Sequence, residues 1–165
     1  MIANEEIAGP AGVTEEWILR KTGIRERRRA KPDEATSDLA VQAARAALAD
    51  AGLRAADLSL IIVGTTTPDS FGPSVACHVA SALECPGTTA AFDLSAACSG
   101  FLYGVSVAER MLGTGGGHAL VIGADTYTRF VNPADRRTAV LWGDGAGAVV
   151  LGPTAPAAGC SPGGC

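Results

Sequence analysis

One cysteine stands where a reactive thiol could do chemistry. Cys98 lies in the segment DLSAACSGF (93–101), between an apolar run typical of a buried strand and a run with helical spacing. The unpaired N–H groups and the dipole of a helix N-terminus favour a negative charge, such as a thiolate. Small neighbours would let the sulfur stand on a sharp bend with room for an acyl group. From the local sequence alone, a buried structural cysteine is an equally good interpretation.

The other candidate reactive residues have simpler explanations. Either histidine could in principle partner a thiolate, but His78 lies in a run of small helical residues and His118 opens a predicted strand. Cys160 and Cys165 have poor spacing for a metal and no histidine nearby. We therefore expect no metal site. The odd set of five cysteines lacks a CxxC pair, so we expect reduced thiols rather than disulfides.

The glycine-rich segment GDGAG (143–147) is not a dinucleotide-binding loop, because such a loop must open a helix and a strand-like AVVL run follows here. We interpret the segment as a tight turn between two strands, 139–142 and 146–151, that lets the backbone pass close to the active site.

Charge and hydropathy exclude two classes of partner. The net charge of −4 and the acidic pI of 5.1 argue against nucleic-acid binding, which needs a basic excess. No apolar run is long enough to span a membrane, and no basic segment followed by an apolar one opens the chain. We expect a cytoplasmic protein with no membrane partner.

The remaining elements alternate between helix and strand. Thr14 is the expected N-cap of a helix that ends at Gly23, and residues 36–38 cap a second helix that ends at Gly52. Helices are also predicted over 74–83 and 98–112, and the basic run 25–31 is an expected exposed connection. Residues predicted to face inward from the helix over 98–112 are Phe101, Leu102, Val105, Ala108 and Met111.

Strands are predicted over 58–64, 89–94 and 119–123, and the apolar run LSLIIVG (58–64) is typical of a strand buried on both faces of a parallel sheet. The alternation predicts a layered α/β fold with a mixed, mostly parallel sheet. One domain is expected over residues 1–152. The tail, residues 153–165, is rich in Gly, Pro and Ala and is expected to be disordered.

Five segments together resemble β-ketoacyl-acyl-carrier-protein synthase III, a family of thiolase-fold condensing enzymes. Residues 93–103 resemble its active-cysteine segment. Four more segments agree in order and spacing: NEEI (4–7), WILRKTGIR (17–25), FGPS (71–74) and the stretch 135–148. Lys21 stands where the family usually has arginine. The resemblance extends from about residue 4 to about residue 152 and implies a thiolase-like half-domain.

The resemblance implies a two-step acyl transfer. Cys98 would take an acyl group from acyl-coenzyme A, and malonyl-acyl-carrier protein would then decarboxylate to give the carbanion that attacks the thioester. The backbone N–H of Cys98 would form part of the oxyanion hole. Coenzyme A enters as a substrate thioester, and no permanently bound cofactor is implied. The pathway would be fatty-acid or polyketide-type biosynthesis.

Further site residues follow from the same resemblance. Trp17 and Arg136 would hold the adenine of coenzyme A between an indole and a guanidinium, and Lys21 and Arg28 would meet phosphates or an acidic carrier protein. Phe71 would reach across a homodimer into the neighbouring acyl pocket. Without the resemblance, Lys21 and Arg28 also fit a solvated basic loop. Trp17 also fits a helix residue packed on the core, and Phe71 fits a side chain that only plugs its own loop.

The resemblance covers only the amino-terminal half of the family. The family's first strand and whole second half, with the histidine and asparagine that stabilise the carbanion, have no counterpart in the sequence. We expect the first strand to be central, so that its absence leaves two unpaired edges within the sheet. Two functions remain open: an acyltransferase, and a truncated non-catalytic remnant that only binds coenzyme A or dimerises.

Overall fold

Strands and helices alternate along the computed structural model, which describes residues 1–113 and 116–153. The strands are β1 (Ile2–Ala3), β2 (Glu26–Arg27), β3 (Leu58–Gly64), β4 (Ala90–Leu94), β5 (His118–Thr126) and β6 (Asp144–Leu151). The helices are α1 (Asn4–Ala8), α2 (Glu15–Thr22), α3 (Thr36–Ala51), α4 (Val75–Ala82) and α5 (Gly100–Leu112).

The main sheet has the strand order β4-β3-β5-β6. β3 runs parallel to both of its neighbours, and β6 runs antiparallel to β5. The predicted layered α/β fold with a mixed, mostly parallel sheet is confirmed. The expectation of a gap within the sheet is wrong, because β3 and β5 pair directly from Leu60 with Ala119 to Gly64 with Gly123.

Helices cover both faces of this sheet, because alternate residues of a strand point to opposite faces. Ile61 and Val63 of β3 pack on one side in a cluster with α3 and α4, whereas Leu60 and Ile62 pack on the other side with α5. Small residues, such as Ala40 and Ala44 on α3, dominate the helix faces in contact with the sheet. Each helix can therefore lie close to the strands.

The helix α5 presents a narrower inward face than the sequence predicted. Gly100, Gly104 and Ala108 are buried along it, whereas Leu102 and Met111 are 64% and 53% exposed. Residues spaced by four follow one face of a helix, and Leu102 and Met111 lie off that line. The prediction that these two residues point inward is therefore wrong.

Helix ends agree with the sequence at three of four predicted positions. The Thr14 hydroxyl accepts the N–H of Trp17, and Gly23 and Gly52 end their helices in the left-handed region at φ 73° and 65°. The start of α3 differs, because Thr36 is already helical and buried, and its hydroxyl donates to the carbonyl of Thr67. Ala35 occupies the cap position, and the side chain of Asp38, one of the three predicted capping residues, accepts the Ala35 N–H at 2.8 Å.

The strand predicted over 146–151 is confirmed as part of β6, but the strand predicted over 139–142 and the turn predicted after it are wrong. Residues 139–141 lie in a turn, and Asp144 already opens β6 by pairing with Thr126. The Asp144 carboxylate accepts the N–H groups of Ala30 and Thr128. The pair Asp144–Gly145, which the sequence analysis placed in a turn, therefore lies at the start of β6. There the Asp144 carboxylate binds the backbone of two other segments.

The basic run 25–31 is not wholly exposed. Arg27 is buried in β2, which pairs with β1, and its Nη2 donates to Asn4 Oδ1 and to the Val140 carbonyl, both at 3.0 Å. This pairing closes a second small core around Ile18. Residues 154–165, which hold all but one residue of the predicted tail, lie outside the described residues. Within the described residues, the helices are too short or too polar to cross a membrane.

Candidate active site

Cys98 lies at a sharp corner between β4 and α5. The strand ends at Leu94, a 3-10 turn covers Ala97–Ser99, and α5 begins at Gly100. Ala97 has a φ of 47°, in the left-handed region that alanine rarely adopts. Such strain at the residue before an exposed cysteine is typical of a nucleophile corner. The predicted helix over 98–112 is therefore a 3-10 turn followed by an α-helix.

Two glycines set the position of this corner. A Cβ atom added to Gly64, the last residue of β3, would lie 2.7 Å from the carbonyl carbon of Gly100 and 2.8 Å from the nitrogen of Phe101. Contacts this short do not occur, so only glycine fits at position 64. The N-terminus of α5 therefore rests directly on the end of the central strand, with Cys98 beside it.

Asp93 ties the same corner to α4. Its Oδ2 and Oδ1 atoms accept the N–H groups of Val75 and Ala76, each at 2.8 Å. These are two of the unpaired donors of the first turn of α4. Sequence analysis did not assign this role to Asp93; an acidic residue at the end of a predicted strand, shortly before a predicted helix, was the available signal.

A cavity of about 320 Å³ opens beside Cys98. Its walls come from the ends of β3 and β5, the start of α5 and the turn before β6. They are lined by Gly64, Ala97, Cys98, Phe101, Gly123, Ala124, Asp125, Tyr127, Trp142, Gly143 and Gly145. Apart from Cys98 and Asp125, these residues are small or aromatic, which suits an apolar group attached to the sulfur.

Two aromatic rings form one wall of this cavity. Tyr127 and Trp142 stack with centroids 4.6 Å apart and an interplanar angle of 17°. Asp125 Oδ1 accepts hydrogen bonds from the hydroxyls of Thr65 and Thr67 and from the N–H and hydroxyl of Thr66. Sequence analysis missed this group, although polar residues at the carboxyl ends of the neighbouring parallel strands β3 and β5 were a usable signal.

Trp142 also lines a second cavity, of about 480 Å³. Arg27, Arg29, Lys31 and Arg129 are among its lining residues. Burial, and to a lesser degree the neighbouring charge of Arg29, lower the pKa of Arg27 from its ordinary value. Two nitrogens of this guanidinium, Nε and Nη1, are buried without a hydrogen-bond partner among the described residues.

The structure brings Trp17 and Arg136 together, with the guanidinium carbon 5.9 Å from the centre of the indole ring. Lys21, in the last turn of α2, and Arg28, directly after β2, are both exposed. Phe71 is fully exposed on the loop between β3 and α4 and does not line the Cys98 cavity. Their roles toward coenzyme A and a partner subunit stay predictions.

The remaining titratable candidates lie away from the Cys98 cavity. His78 is half-buried on α4, and His118 is the first residue of β5; neither lines that cavity. Burial raises the pKa of the Cys85 thiol above its ordinary value. Within residues 1–113 and 116–153, no three His, Cys, Asp or Glu side chains are grouped as metal ligands.

Known proteins have similar sequences and the same fold. Residues 92–161 match the family model of 3-oxoacyl-[acyl-carrier-protein] synthase III. An acetoacetyl CoA synthase from a Streptomyces species is 54% identical over 159 residues, which cover 96% of this chain and 48% of that protein. A β-ketoacyl-[acyl-carrier-protein] synthase III from Sphingopyxis alaskensis is 53% identical over 151 residues, 91% of this chain and 47% of that one.

Solved structures agree. The 3-oxoacyl-[acyl-carrier-protein] synthase III of Aquifex aeolicus superposes with a TM-score of 0.87 at 44% identity, over 93% of this chain and 49% of that chain. The enzyme of the same name from Pseudomonas aeruginosa gives a TM-score of 0.85 at 41% identity, over 93% and 48%. Fold and sequence together define a thiolase-like condensing-enzyme fold.

Within that class, the chain is similar over more than nine tenths of its length to β-ketoacyl-[acyl-carrier-protein] synthase III proteins. It spans about half the length of the curated relatives it matches.

Proposed function

We propose that Cys98 is the acyl acceptor of a β-ketoacyl-acyl-carrier-protein synthase III-type acyltransferase. The observation that carries the proposal is the corner at Cys98. The exposed sulfur follows a left-handed residue, precedes the first turn of α5 and lines a cavity with room for an acyl group. A strained strand-to-helix corner presents a nucleophile in this way in other acyl-transferring enzymes.

In the first step the Cys98 thiolate attacks the carbonyl carbon of acyl-coenzyme A. The carbon–sulfur bond to coenzyme A breaks, and the free coenzyme A thiol leaves with a proton. The backbone N–H of Cys98, close to the start of α5, donates to the oxyanion of the tetrahedral intermediate. A positioned donor of this kind contributes about 3 kcal/mol of transition-state stabilisation.

In the second step a malonyl thioester on acyl-carrier protein loses carbon dioxide, and the resulting carbanion attacks the carbonyl of acyl-Cys98. The names of the relatives, β-ketoacyl-acyl-carrier-protein synthase III and acetoacetyl CoA synthase, support this kind of condensation. The resemblance assigns this step a histidine and an asparagine from the family's second half.

Coenzyme A is proposed to bind with its adenine at Trp17 and Arg136. The two side chains already face each other as a cation–π pair, and both are suited to stacking on a flat base. Lys21 and Arg28 are exposed cations that would meet the phosphates. Stacking on an indole and on a planar guanidinium would stabilise the bound adenine, although the base itself carries no charge.

A homodimer is proposed as the working form. Among residues 1–113 and 116–153, β4 pairs only with β3, so its outer edge presents N–H and carbonyl groups that another chain could cover. Phe71 is a large apolar side chain that is fully exposed in the isolated chain. Burial of Phe71 in a partner would remove that apolar surface from water. A location in the cytoplasm remains a prediction.

Intact-mass measurement after incubation with acetyl-coenzyme A tests the proposal. We expect a mass gain of one acetyl group, mapped to Cys98, which disappears in a Cys98→Ala variant and persists in a Cys77→Ser variant. Cys77 is the matched control because it is also an exposed thiol. No adduct on Cys98 contradicts the proposal for this chain. Coenzyme A binding without an adduct would instead identify a non-catalytic protein that only binds the ligand.

A further inference from the structure

The cavity lined by Arg27 is separate from the Cys98 cavity, and the proposed function does not use it. It has a volume of about 480 Å³, within the range of pockets that hold small molecules. Among the described residues, Trp142 alone lines both cavities. We call this space the basic cavity, because its lining includes the cations Arg27, Arg29, Lys31 and Arg129.

Among the described residues, the buried charge of Arg27 has no carboxylate partner. The side chain is only 7% exposed, and its Nη2 donates to two neutral acceptors, Asn4 Oδ1 and the Val140 carbonyl. None of the ion pairs within residues 1–113 and 116–153 includes Arg27. Burial, together with the like charge of Arg29, lowers the pKa of Arg27, because a buried cation loses its hydration. An anion close to this guanidinium would therefore stabilise it.

The other cations of the basic cavity differ in how far they are compensated. Arg29 is exposed and takes part in none of the ion pairs of the described residues. Lys31 pairs with Glu34 at 3.4 Å, and Arg129 Nη2 donates to the backbone carbonyls of Lys31 and Glu34. Glu6 is the acidic residue in the lining. Positive charges therefore outnumber negative ones around this space, and its apolar walls strengthen the resulting field.

The neutral lining of the basic cavity leaves few hydrogen-bond donors for a ligand. The N–H of Ala30 and both the N–H and the hydroxyl of Thr128 donate to Asp144. Other parts of the wall are apolar and include Ile7 and Pro10. Such a wall favours a ligand with an apolar body and a singly charged head, since a phosphate dianion would lose more hydration on entry. A carboxylate matches the planar guanidinium of an arginine.

We infer that the basic cavity binds an organic carboxylate with an apolar body, whose head group meets Arg29 and Arg129 beside the buried charge of Arg27. The carboxylate supplies the missing counter-charge, and the apolar body lies against the wall that contains Ile7 and Trp142. The inference does not depend on the chemistry at Cys98, because binding in this cavity needs no acyl transfer.

Tryptophan fluorescence with sodium octanoate tests the inference. The chain has two tryptophans, so a Trp17→Phe background leaves Trp142 as the single emitter, in the wall of the cavity. We expect a saturable change in its emission at constant ionic strength. Octan-1-ol, which lacks the charge, and acetate, which lacks the apolar body, should each bind at least about tenfold more weakly than octanoate. Isothermal titration calorimetry measures the same dissociation constants without the fluorophore.

Two variants in this background locate the ligand. Arg29→Gln removes an unpaired cation from the lining and should weaken octanoate binding about threefold, because the charge of an exposed side chain is partly screened. Glu6→Gln removes the acidic residue and should strengthen binding by a similar factor. The matched control is Arg25→Gln, which removes an exposed arginine of the same basic run that does not line the cavity. This control should leave the affinity unchanged.

Equal binding of octanoate and octan-1-ol overturns the inference, since the cations would then play no part, and so does equal binding of octanoate and acetate. An octanoate affinity that neither Arg29→Gln nor Glu6→Gln changes also overturns it, because the ligand would then lie in the Cys98 cavity or elsewhere. Equal losses in Arg29→Gln and Arg25→Gln indicate a general effect of charge and contradict it as well. Absence of binding by both fluorescence and calorimetry has the same meaning. Acetylation of Cys98 is measured separately, so failure of either proposal leaves the other intact.

Discussion

The backbone of Gly64, at the end of β3, lies against the backbone of Gly100, at the start of α5. No side chain separates them, because a Cβ at Gly64 would come within 2.7 Å of the carbonyl carbon of Gly100. The central strand and the helix behind Cys98 therefore meet through main-chain atoms, which cannot give way as a flexible side chain would.

Gly64→Ala should lower the free energy of unfolding by about 2 to 3 kcal/mol, because the new methyl group must push α5 away from β3. Urea denaturation followed by circular dichroism measures the change. Gly147→Ala is the matched control: it lies in β6 with no atom within 4 Å of its added Cβ. This control should stay within about 0.5 kcal/mol of the wild type. Equal losses in the two variants would contradict the close approach at Gly64.

Arg136→Ala should weaken coenzyme A binding about tenfold, because the adenine would lose one of its two stacking partners. Isothermal titration calorimetry measures the dissociation constant. Arg137→Ala is the control, since Arg137 has the same charge but pairs with Asp135 instead of facing Trp17. The control should change affinity by less than about twofold, as exposed ion pairs contribute little. Similar effects of the two variants would indicate a general effect of charge rather than stacking.

Asp93→Ala should lower the free energy of unfolding by about 1 to 2 kcal/mol, because the N–H groups of Val75 and Ala76 lose their acceptors. Thermal unfolding shows the loss. Asp33→Ala, which removes an exposed carboxylate before α3, serves as the control and should have little effect. The anchor is refuted if the two variants unfold at the same temperature.

Cys85 should react with iodoacetamide more slowly than Cys77 at neutral pH. Burial raises the pKa of the Cys85 thiol, so its reactive thiolate forms only at higher pH, while Cys77 is exposed. Alkylation rates at several pH values, resolved by site with mass spectrometry, provide the measurement. The rate at Cys85 should continue to rise towards alkaline pH. Equal rates at the two sites at neutral pH would exclude the effect of burial.

Much of the fold follows from local sequence patterns. The apolar run 58–64 predicts β3 with its bounds unchanged, because a strand buried on both faces needs apolar residues at every position. Thr14, Gly23 and Gly52 mark helix ends through hydrogen bonding and left-handed backbone geometry that few other residues provide. Such signals lie within a few residues of what they determine.

The wrong predictions concern contacts between distant segments. Asp144 looked like part of a turn, but its carboxylate binds Ala30 and Thr128, and β5 extends far enough to pair with it. Arg27 looked exposed because its neighbours are charged, although Asn4 and Val140 accept its hydrogen bonds. A local pattern contains no information about such partners.

The candidate site also combines features that the local sequence indicates with contacts between distant segments that it does not. The small neighbours of Cys98 and its place before a helix, both local features, made it a candidate but left a buried structural cysteine equally good. The resemblance of residues 93–103 to the family's active-cysteine segment decided between the two for Cys98. The wall of its cavity was not found, because Thr66, Tyr127 and Trp142 meet only after β3 and β5 have paired and the turn before β6 has folded back.

The pairing of β3 with both β4 and β5 also affects how the chain is made. Ile62 needs Phe92 on one side and Val121 on the other, and the second of these leaves the ribosome after Cys98 has already emerged. Distant parallel pairings form slowly because a long loop must close first. A nascent chain therefore carries its thiol through a period without the corner or the cavity.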